Sequence, residues 1–247
     1  MMRSSNPALT DKAFRGFSSA DTAGGTMTIQ GTVNRTAFLL VLVAVSAVCT
    51  WQRFVTSGPA VMPWLWGGMI GGLILSLVTV FKKTWAPVTA PLYAVCEGLA
   101  LGGISAFYEA KFGGIVFQAV GLTFGTLGAL LVAYTSRLIK ATENFKLGVF
   151  AATGGVALVY LASMVMGFFG VQIPGIFGNG LIGIAFSGIV VVIAALNLVM
   201  DFDFIEHGAE QGAPKHMEWY GAFGLLVTLV WLYLEMLRLL SKLRSRD

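Results

Sequence analysis

Four acidic residues lie inside or at the end of otherwise apolar stretches, and they are the side chains best suited to chemistry: Glu97, Asp201, Asp203 and Glu235. An unpaired carboxylate in a low-dielectric environment takes up a proton instead of remaining charged. Two such groups brought together would share a proton or bind a cation, so protons and cations would compete for one site. A hard divalent ion such as Ca²⁺ prefers oxygen ligands of this kind. The acids therefore predict a proton-sensitive cation site.

Three of these acids also have purely structural interpretations. Asp201 and Asp203 can end a helix at the headgroup level of a membrane, where charge is tolerated. Glu235 and Arg238 are three residues apart, so they can form an interfacial salt bridge on one helix face, or Arg238 can orient the carboxylate. Both interpretations stay open at the level of the sequence.

Glu97 is the hardest of the acids to explain structurally. It lies about ten residues into an apolar stretch, so it has no short route to water. Asn197, one helical turn before Asp201, either orients that carboxylate or bridges two helices.

The elements that position these residues are long apolar segments. The sequence is 56% hydrophobic and 11% charged, whereas soluble domains are about a quarter charged. A membrane-spanning helix needs about 20 mostly apolar residues. Seven stretches satisfy this: Ala37–Arg53, Met62–Phe81, Val88–Glu109, Gly114–Ser136, Leu147–Gly170, Gly180–Met200 and Trp219–Leu240. The sequence therefore predicts an all-α integral membrane protein, a seven-transmembrane helix bundle.

The predicted organisation has three parts. Residues 1–32 are polar and are predicted to be a disordered cytoplasmic tail, residues 33–240 the seven-helix transmembrane domain, and residues 241–247 a basic C-terminal tail. Since residues 1–32 contain no apolar signal-peptide region, the first span is expected to serve as the targeting signal.

Basic residues in the connections predict the orientation. Ten lie on the side of the N-terminus and two on the opposite side before the C-terminal tail, which places the N-terminus in the cytoplasm. The basic C-terminal tail would then face outward, against the positive-inside rule. We predict seven crossings of the membrane, because the early helices usually dominate orientation.

Small residues at four-residue spacing predict helix packing faces, because they let helix backbones approach closely in lipid. They form three series: Gly68-Gly72, Ala94-Gly98-Gly102-Ala106 and Gly121-Gly125-Ala129-Ala133.

The sequence does not indicate enzymatic, metal-binding or nucleic-acid-binding chemistry. No metal-binding Cys or His spacing, nucleophile–base pattern or phosphate-binding Gly loop is present, so we expect neither an enzyme nor a bound cofactor. The net charge of +4 does not indicate a nucleic-acid partner.

Several short motifs resemble the Bax inhibitor-1 family. Asp201-Phe-Asp-Phe-Ile ends the sixth apolar segment, and Leu232-Tyr-Leu-Glu-Met-Leu lies in the seventh. Two further segments are similar to a bacterial branch of that family: Ser4-Ser-Asn-Pro-Ala-Leu9 and Pro91-Leu-Tyr-Ala-Val-Cys-Glu-Gly-Leu-Ala-Leu-Gly-Gly-Ile-Ser105. The likeness covers roughly residues 30–240 in layout.

The resemblance implies a pH-sensitive Ca²⁺ leak that is gated by two acidic residues on the last two helices. Asp201 matches the first acid, and Glu235 stands where the second is usually Asp, so a transient Ca²⁺ position between them is the hypothesis. The basic partner that some members carry on the second helix has no counterpart between Met62 and Phe81. The two acids are 34 residues apart, and simple antiparallel packing brings them together only if the sixth helix extends beyond Met200 or the following segment folds back.

Two functions follow as hypotheses. The first is a proton-regulated Ca²⁺ leak channel with Asp201 and Glu235 as gate or ion ligands and Glu97 as an additional carboxylate. The alternative is a non-conducting interaction protein that modulates other membrane proteins or a membrane protease through its small-residue faces and basic tails. Lipid, protons and Ca²⁺ are the expected partners, and the sequence does not indicate an oligomeric state.

Overall fold

The computed structural model of the protein describes residues 25–170, 176 and 178–246. These residues form α1 (Ile29–Ser57), α2 (Met62–Phe81), α3 (Ala86–Lys111), α4 (Ile115–Thr135), α5 (Glu143–Phe168), α6 (Leu181–Glu210) and α7 (Met217–Arg244). Short 3₁₀ helices, Gly58–Val61 and Lys83–Trp85, precede α2 and α3, and no β-strand occurs in the described part of the chain. All seven helices are long and apolar enough to cross a membrane, which confirms the predicted fold class.

The surfaces of these helices match lipid better than water. Large apolar side chains point outward along most of them: Phe117 is 85% exposed and Phe168 is 83% exposed. Contiguous apolar surface of this extent is rare on soluble monomers, whereas hydrocarbon solvates it without cost. The bilayer is therefore the environment that this surface requires.

The N-terminal boundary differs from the predicted 32-residue tail. Residues 1–24 lie outside the described part of the chain, but Gly25–Thr28 runs beside residues 213–215 and α1 already begins at Ile29. The Met27 backbone N–H donates to the Ala213 carbonyl at 2.6 Å. The Thr28 hydroxyl caps the helix by accepting from the Gly31 N–H at 3.0 Å. This cap starts the helix eight residues before the apolar stretch begins, which hydropathy alone does not detect.

The C-terminal boundary differs in the same way. The predicted basic tail was 241–247, but α7 continues through Arg244 and the side chain of Lys242 is buried. The predicted Pro174 connection falls mostly on residues 171–175 and 177, which lie outside the described residues.

The chain divides into two compact units. The first unit comprises Met1–Lys111 with Asp203–Val227, and the second comprises Phe112–Phe202 with Thr228–Asp247. Helices α6 and α7 thus contribute residues to both units.

Within the first unit, α3 packs against both α1 and α2 through the predicted small-residue faces. Gly98 and Gly102 of α3 are buried, and a Cβ on either would overlap α1: at Gly98 it would meet Ser46 and at Gly102 the backbone of Ala47. On α2, a Cβ at Gly68 would lie 2.5 Å from the Cys96 carbonyl oxygen. These faces are confirmed as packing surfaces, because each contact requires that no side chain be present.

Within the second unit, the small residues of α4 behave differently. Gly121, Gly125 and Ala129 are exposed, and a Cβ added at either glycine would have no described atom within 4 Å. Identical spacing in the sequence therefore gives a packed face on α3 and an open face on α4.

This contrast gives a matched pair of variants. Gly102→Ala should destabilise the protein by about 1–3 kcal/mol, because the added methyl group must force two backbones apart. Gly125→Ala should not destabilise the protein and should raise its free energy of unfolding by up to about 1 kcal/mol, since alanine has the higher helix propensity. Melting temperatures of the two purified variants in detergent check this, and an equal effect at both positions would contradict the packing described.

Candidate intramembrane carboxylate site

A line of buried polar side chains follows one face of α7 through the second unit. Thr228, Glu235 and Lys242 succeed one another at seven-residue intervals, and each is at most 8% exposed. Seven residues are almost two full helical turns, so the three side chains share one face and span about 21 Å along the axis. We refer to this line as the polar stripe. It is unusual because charged and polar groups inside a membrane helix are costly unless they find partners in the protein.

Asp201 of α6 adjoins the first position of the stripe. The Thr228 hydroxyl is a hydrogen-bond partner of the Asp201 carboxyl group. The Oδ2 atom of Asp201 is buried and has no hydrogen-bond partner among the described residues. An orphaned buried carboxylate oxygen is expensive, and either uptake of a proton or approach of a cation would relieve that cost.

Glu235 lies at the second position, and both of its oxygens are satisfied. The Tyr160 hydroxyl of α5 donates to Glu235 Oε1 at 2.8 Å, and Arg238 Nη1 donates to Oε1 at 2.9 Å and to Oε2 at 3.1 Å. Arg238 also donates to the Tyr160 hydroxyl and stacks over its ring, 5.1 Å from the centroid. The predicted Glu235–Arg238 pair is confirmed, but its carboxylate is only 2% exposed, so the pair is not a simple interfacial salt bridge.

The structure does not bring Asp201 and Glu235 into hydrogen-bond contact. Helix α6 does extend beyond Met200, to Glu210, as their meeting requires. However, the register of the two helices sets Asp201 against Thr228, and Glu235 lies two turns, or about 10 Å, further along α7. Asp201 therefore lies beside the first position of the stripe, and Glu235 is its second position.

Asn197 connects helices within the second unit. Its side-chain nitrogen donates to the Thr153 hydroxyl of α5 at 2.8 Å and to the Ile193 carbonyl at 2.8 Å. These bonds correspond to the helix-bridging alternative, because the amide nitrogen is directed to α5 and to its own preceding turn.

The other two predicted acids belong to the first unit. Glu97 is half-buried, has the Tyr93 hydroxyl one turn earlier as a hydrogen-bond partner, and lies against Gly72 of α2. The Asp203 carboxylate lies 3.4 Å from Nδ1 of His207 on the next turn of α6. Both acids thus have a partner on their own helix.

Glu218, just before the seventh predicted span, carries a fully buried carboxylate that is not among the predicted site residues. It accepts from the Thr28 N–H at 3.0 Å, the Thr28 hydroxyl at 2.9 Å, Arg35 Nε at 2.9 Å and Lys215 Nζ at 2.7 Å. A Cβ on Gly31 would overlap its carboxylate, so glycine is required there. The three-residue spacing of Lys215 and Glu218 indicates in the sequence that they can pair. No sequence pattern indicates that Thr28 and Arg35 also contact Glu218. The cluster attaches the start of α1 to the start of α7.

The described part of the chain contains no group of three or more His, Cys, Asp and Glu side chains placed to hold a metal ion.

Comparison with known families identifies one match. The family described as Bax inhibitor 1 like matches residues 6–245, which is nearly the whole chain. No curated protein matches the sequence at a significant level.

The Glu218 cluster gives a second testable prediction. Glu218→Gln should lower stability by about 1–3 kcal/mol, because a neutral amide cannot satisfy the two cations and the capping donors around it. Glu143→Gln is the control: Glu143 is 58% exposed and lies 3.7 Å from Lys146, so its loss should cost under about 0.5 kcal/mol. Thermal unfolding in detergent measures both, and a melting temperature of Glu218→Gln equal to that of the wild type would disprove a stabilising role.

Proposed function

The chain belongs to the Bax inhibitor 1 like family, and from this we propose that it is a pH-sensitive Ca²⁺ leak channel whose flux depends on intramembrane carboxylates. The observation that carries the proposal is the polar stripe together with Asp201 beside its first position, whose buried Oδ2 has no partner among the described residues. The carboxylate and hydroxyl oxygens of Asp201, Thr228 and Glu235 lie within an apolar unit, and such oxygens lower the cost of bringing a cation there.

In the proposed mechanism Asp201 is the proton-sensitive group. When its carboxyl group is protonated it has little attraction for a cation, and when it is ionised its free oxygen becomes a ligand. Rising pH therefore favours cation entry, and Ca²⁺ and protons compete at this position. Thr228 orients the carboxyl group through its hydroxyl.

Glu235 has a different role because Arg238 already balances its charge. The Arg238–Glu235–Tyr160 cluster joins α7 to α5 and leaves no net charge at the middle of the stripe. A passing Ca²⁺ ion is then required to compete with Arg238 for the carboxylate. We propose that this competition is the gate, and that Glu97 and Asp203 of the first unit modify flux without binding the ion in the stripe.

The setting of this activity is also a proposal. We place the protein in a bacterial inner or plasma membrane with its N-terminus in the cytoplasm, as the excess of basic residues on that side supports. Ca²⁺ is cargo in this scheme, no cofactor takes part, and no reaction is catalysed.

A second candidate function is supported by α4. Its exposed small residues, Gly121, Gly125 and Ala129, form the kind of face on which transmembrane helices associate. A non-conducting protein could use this face to bind another membrane protein. Flux measured with the purified protein separates the two functions, because a binding protein conducts nothing.

The test is Ca²⁺ uptake into dye-loaded proteoliposomes across about pH 6 to 8. Wild-type flux should rise with pH. Asp201→Asn imitates the protonated acid, so its flux should remain at the low-pH value and fall about tenfold below wild type at high pH. A tenfold fall corresponds to a barrier higher by about 1.4 kcal/mol. Glu235→Gln should also lower flux, because it leaves the Arg238 charge unbalanced in the stripe.

Two further variants sharpen this test. Glu143→Gln, at an exposed position, is the matched control and should conduct like wild type. If Glu97→Gln alone changes the flux, the site lies in the first unit and the assignment to Asp201 is wrong. Absence of flux above protein-free vesicles, from protein shown to be folded and inserted, would exclude the channel and favour the interaction protein.

A further inference from the structure

The last position of the polar stripe holds a buried lysine that the proposed mechanism does not use. Lys242 is 4% exposed, although it belongs to the segment predicted to be a solvated basic tail. Its Nζ donates to the Gly183 carbonyl at 2.9 Å, the Ser187 hydroxyl at 2.9 Å and the Ile176 carbonyl at 3.2 Å. Burial of an ammonium group is costly unless oxygen atoms replace its water, so the three oxygens around Lys242 require an explanation.

These three oxygens are all neutral. The nearest charged groups on the same helix face are Arg238, four residues earlier, and Glu235, seven residues earlier, whose carboxylate is already bound by Arg238. The ammonium of Lys242 is thus held by carbonyl and hydroxyl dipoles, as the selectivity filters of K⁺ channels hold their ions. Divalent Ca²⁺ instead takes six to eight oxygens and favours carboxylates. Three neutral oxygens match a monovalent cation better than a divalent one.

We propose that the Ile176 carbonyl, the Gly183 carbonyl and the Ser187 hydroxyl form a monovalent-cation site, and that Lys242 fills it as a tethered cation. Because the lysine is attached to α7, it occupies the site at an effective concentration that free K⁺ or Na⁺ cannot match. The site is therefore closed to free ions as long as Lys242 is present. This part of the proposal concerns binding and does not require that the protein conduct Ca²⁺.

A second consequence rests on the proposed function. Lys242 lies at one end of the stripe, so the ammonium would also close that end to ions passing Asp201 and Glu235. Its removal would then admit monovalent cations. If removing Lys242 acted only by removing a positive charge, the uptake of divalent cations would rise more than that of monovalent cations. If it opens a monovalent-cation site, the uptake of monovalent cations rises more. The ratio of the two uptakes therefore separates the explanations.

Lys242→Met is the informative variant. Methionine keeps an unbranched stem of similar length and removes the charge, so the packing around the stem is largely retained. Melting temperatures are measured in KCl and in choline chloride at equal ionic strength. At a K⁺ concentration about five times the dissociation constant, the variant should melt about 2–4 °C higher in KCl, whereas wild type should show no difference. Arg246→Met, which removes an exposed charge four residues later, is the control and should behave like wild type.

The double variant Lys242→Met/Ser187→Ala keeps the result interpretable. It removes one of the three oxygens, so the K⁺-dependent rise should be lost. A rise that persists in the double variant, or that occurs equally in Arg246→Met, would overturn the site. So would a folded Lys242→Met protein whose melting temperature does not respond to K⁺.

Flux measurements then test the second consequence separately. Rb⁺ uptake into proteoliposomes should be higher for Lys242→Met than for wild type, with a smaller change in Ca²⁺ uptake. A larger rise in Ca²⁺ than in Rb⁺ uptake would overturn the role of Lys242 as a tethered ion in the stripe. If neither protein conducts but the K⁺-dependent stabilisation is present, the binding site stands and the proposed channel function fails.

Discussion

The buried charged groups on α7 must be satisfied by the protein itself, because a buried charge without a partner is costly. This requirement explains the partners that each one has. Glu218 has the Thr28 cap and two cations, Glu235 has Tyr160 and Arg238, and Lys242 has three oxygens. The positions of α1, α5 and the start of α6 therefore depend on which α7 side chain each must reach. An apolar α7 of the same length would leave these neighbours without a fixed register.

Small residues leave the space that these contacts need in the first unit. Gly31 leaves room for the Glu218 carboxylate beside the α1 backbone, and Gly98 and Gly102 let α3 approach α1 until backbone atoms touch. In lipid there is no hydrophobic force between helices, so close backbone contact and satisfied polar groups supply most of the specificity. Both kinds of contact thus hold α1 within the first unit: Gly31 admits the Glu218 cluster, and Gly98 and Gly102 bring α3 against α1.

The sequence predicts the helices well and their partners poorly. Length and hydropathy suffice for the seven spans, and the three-residue spacing of Glu235 and Arg238 suffices for their pair. The contacts of Tyr160, Thr153 and Arg35 come from helices distant in the sequence, and periodicity on one helix carries no information about the register of another. The same limit applies to α4, whose glycines have the spacing of a packed face but meet no described neighbour. Two helix ends also lie beyond the predicted spans. Helix α1 begins directly after the Thr28 cap, and α7 continues past the buried Lys242, both in polar sequence.

The carboxylates of the structure differ in how completely they are satisfied, and this difference indicates function better than their depth does. Glu218 and Glu235 have cationic partners, so a change in their protonation would break existing bonds, which suits a structural or gating role. Asp201 has the Thr228 hydroxyl on its carboxyl group and an Oδ2 atom without a partner in the described part of the chain. A native protein has little reason to retain such an oxygen unless something else binds there, since replacing the acid with an apolar residue would remove the cost. This difference supports Asp201 as the proton- and cation-binding position of the proposed function.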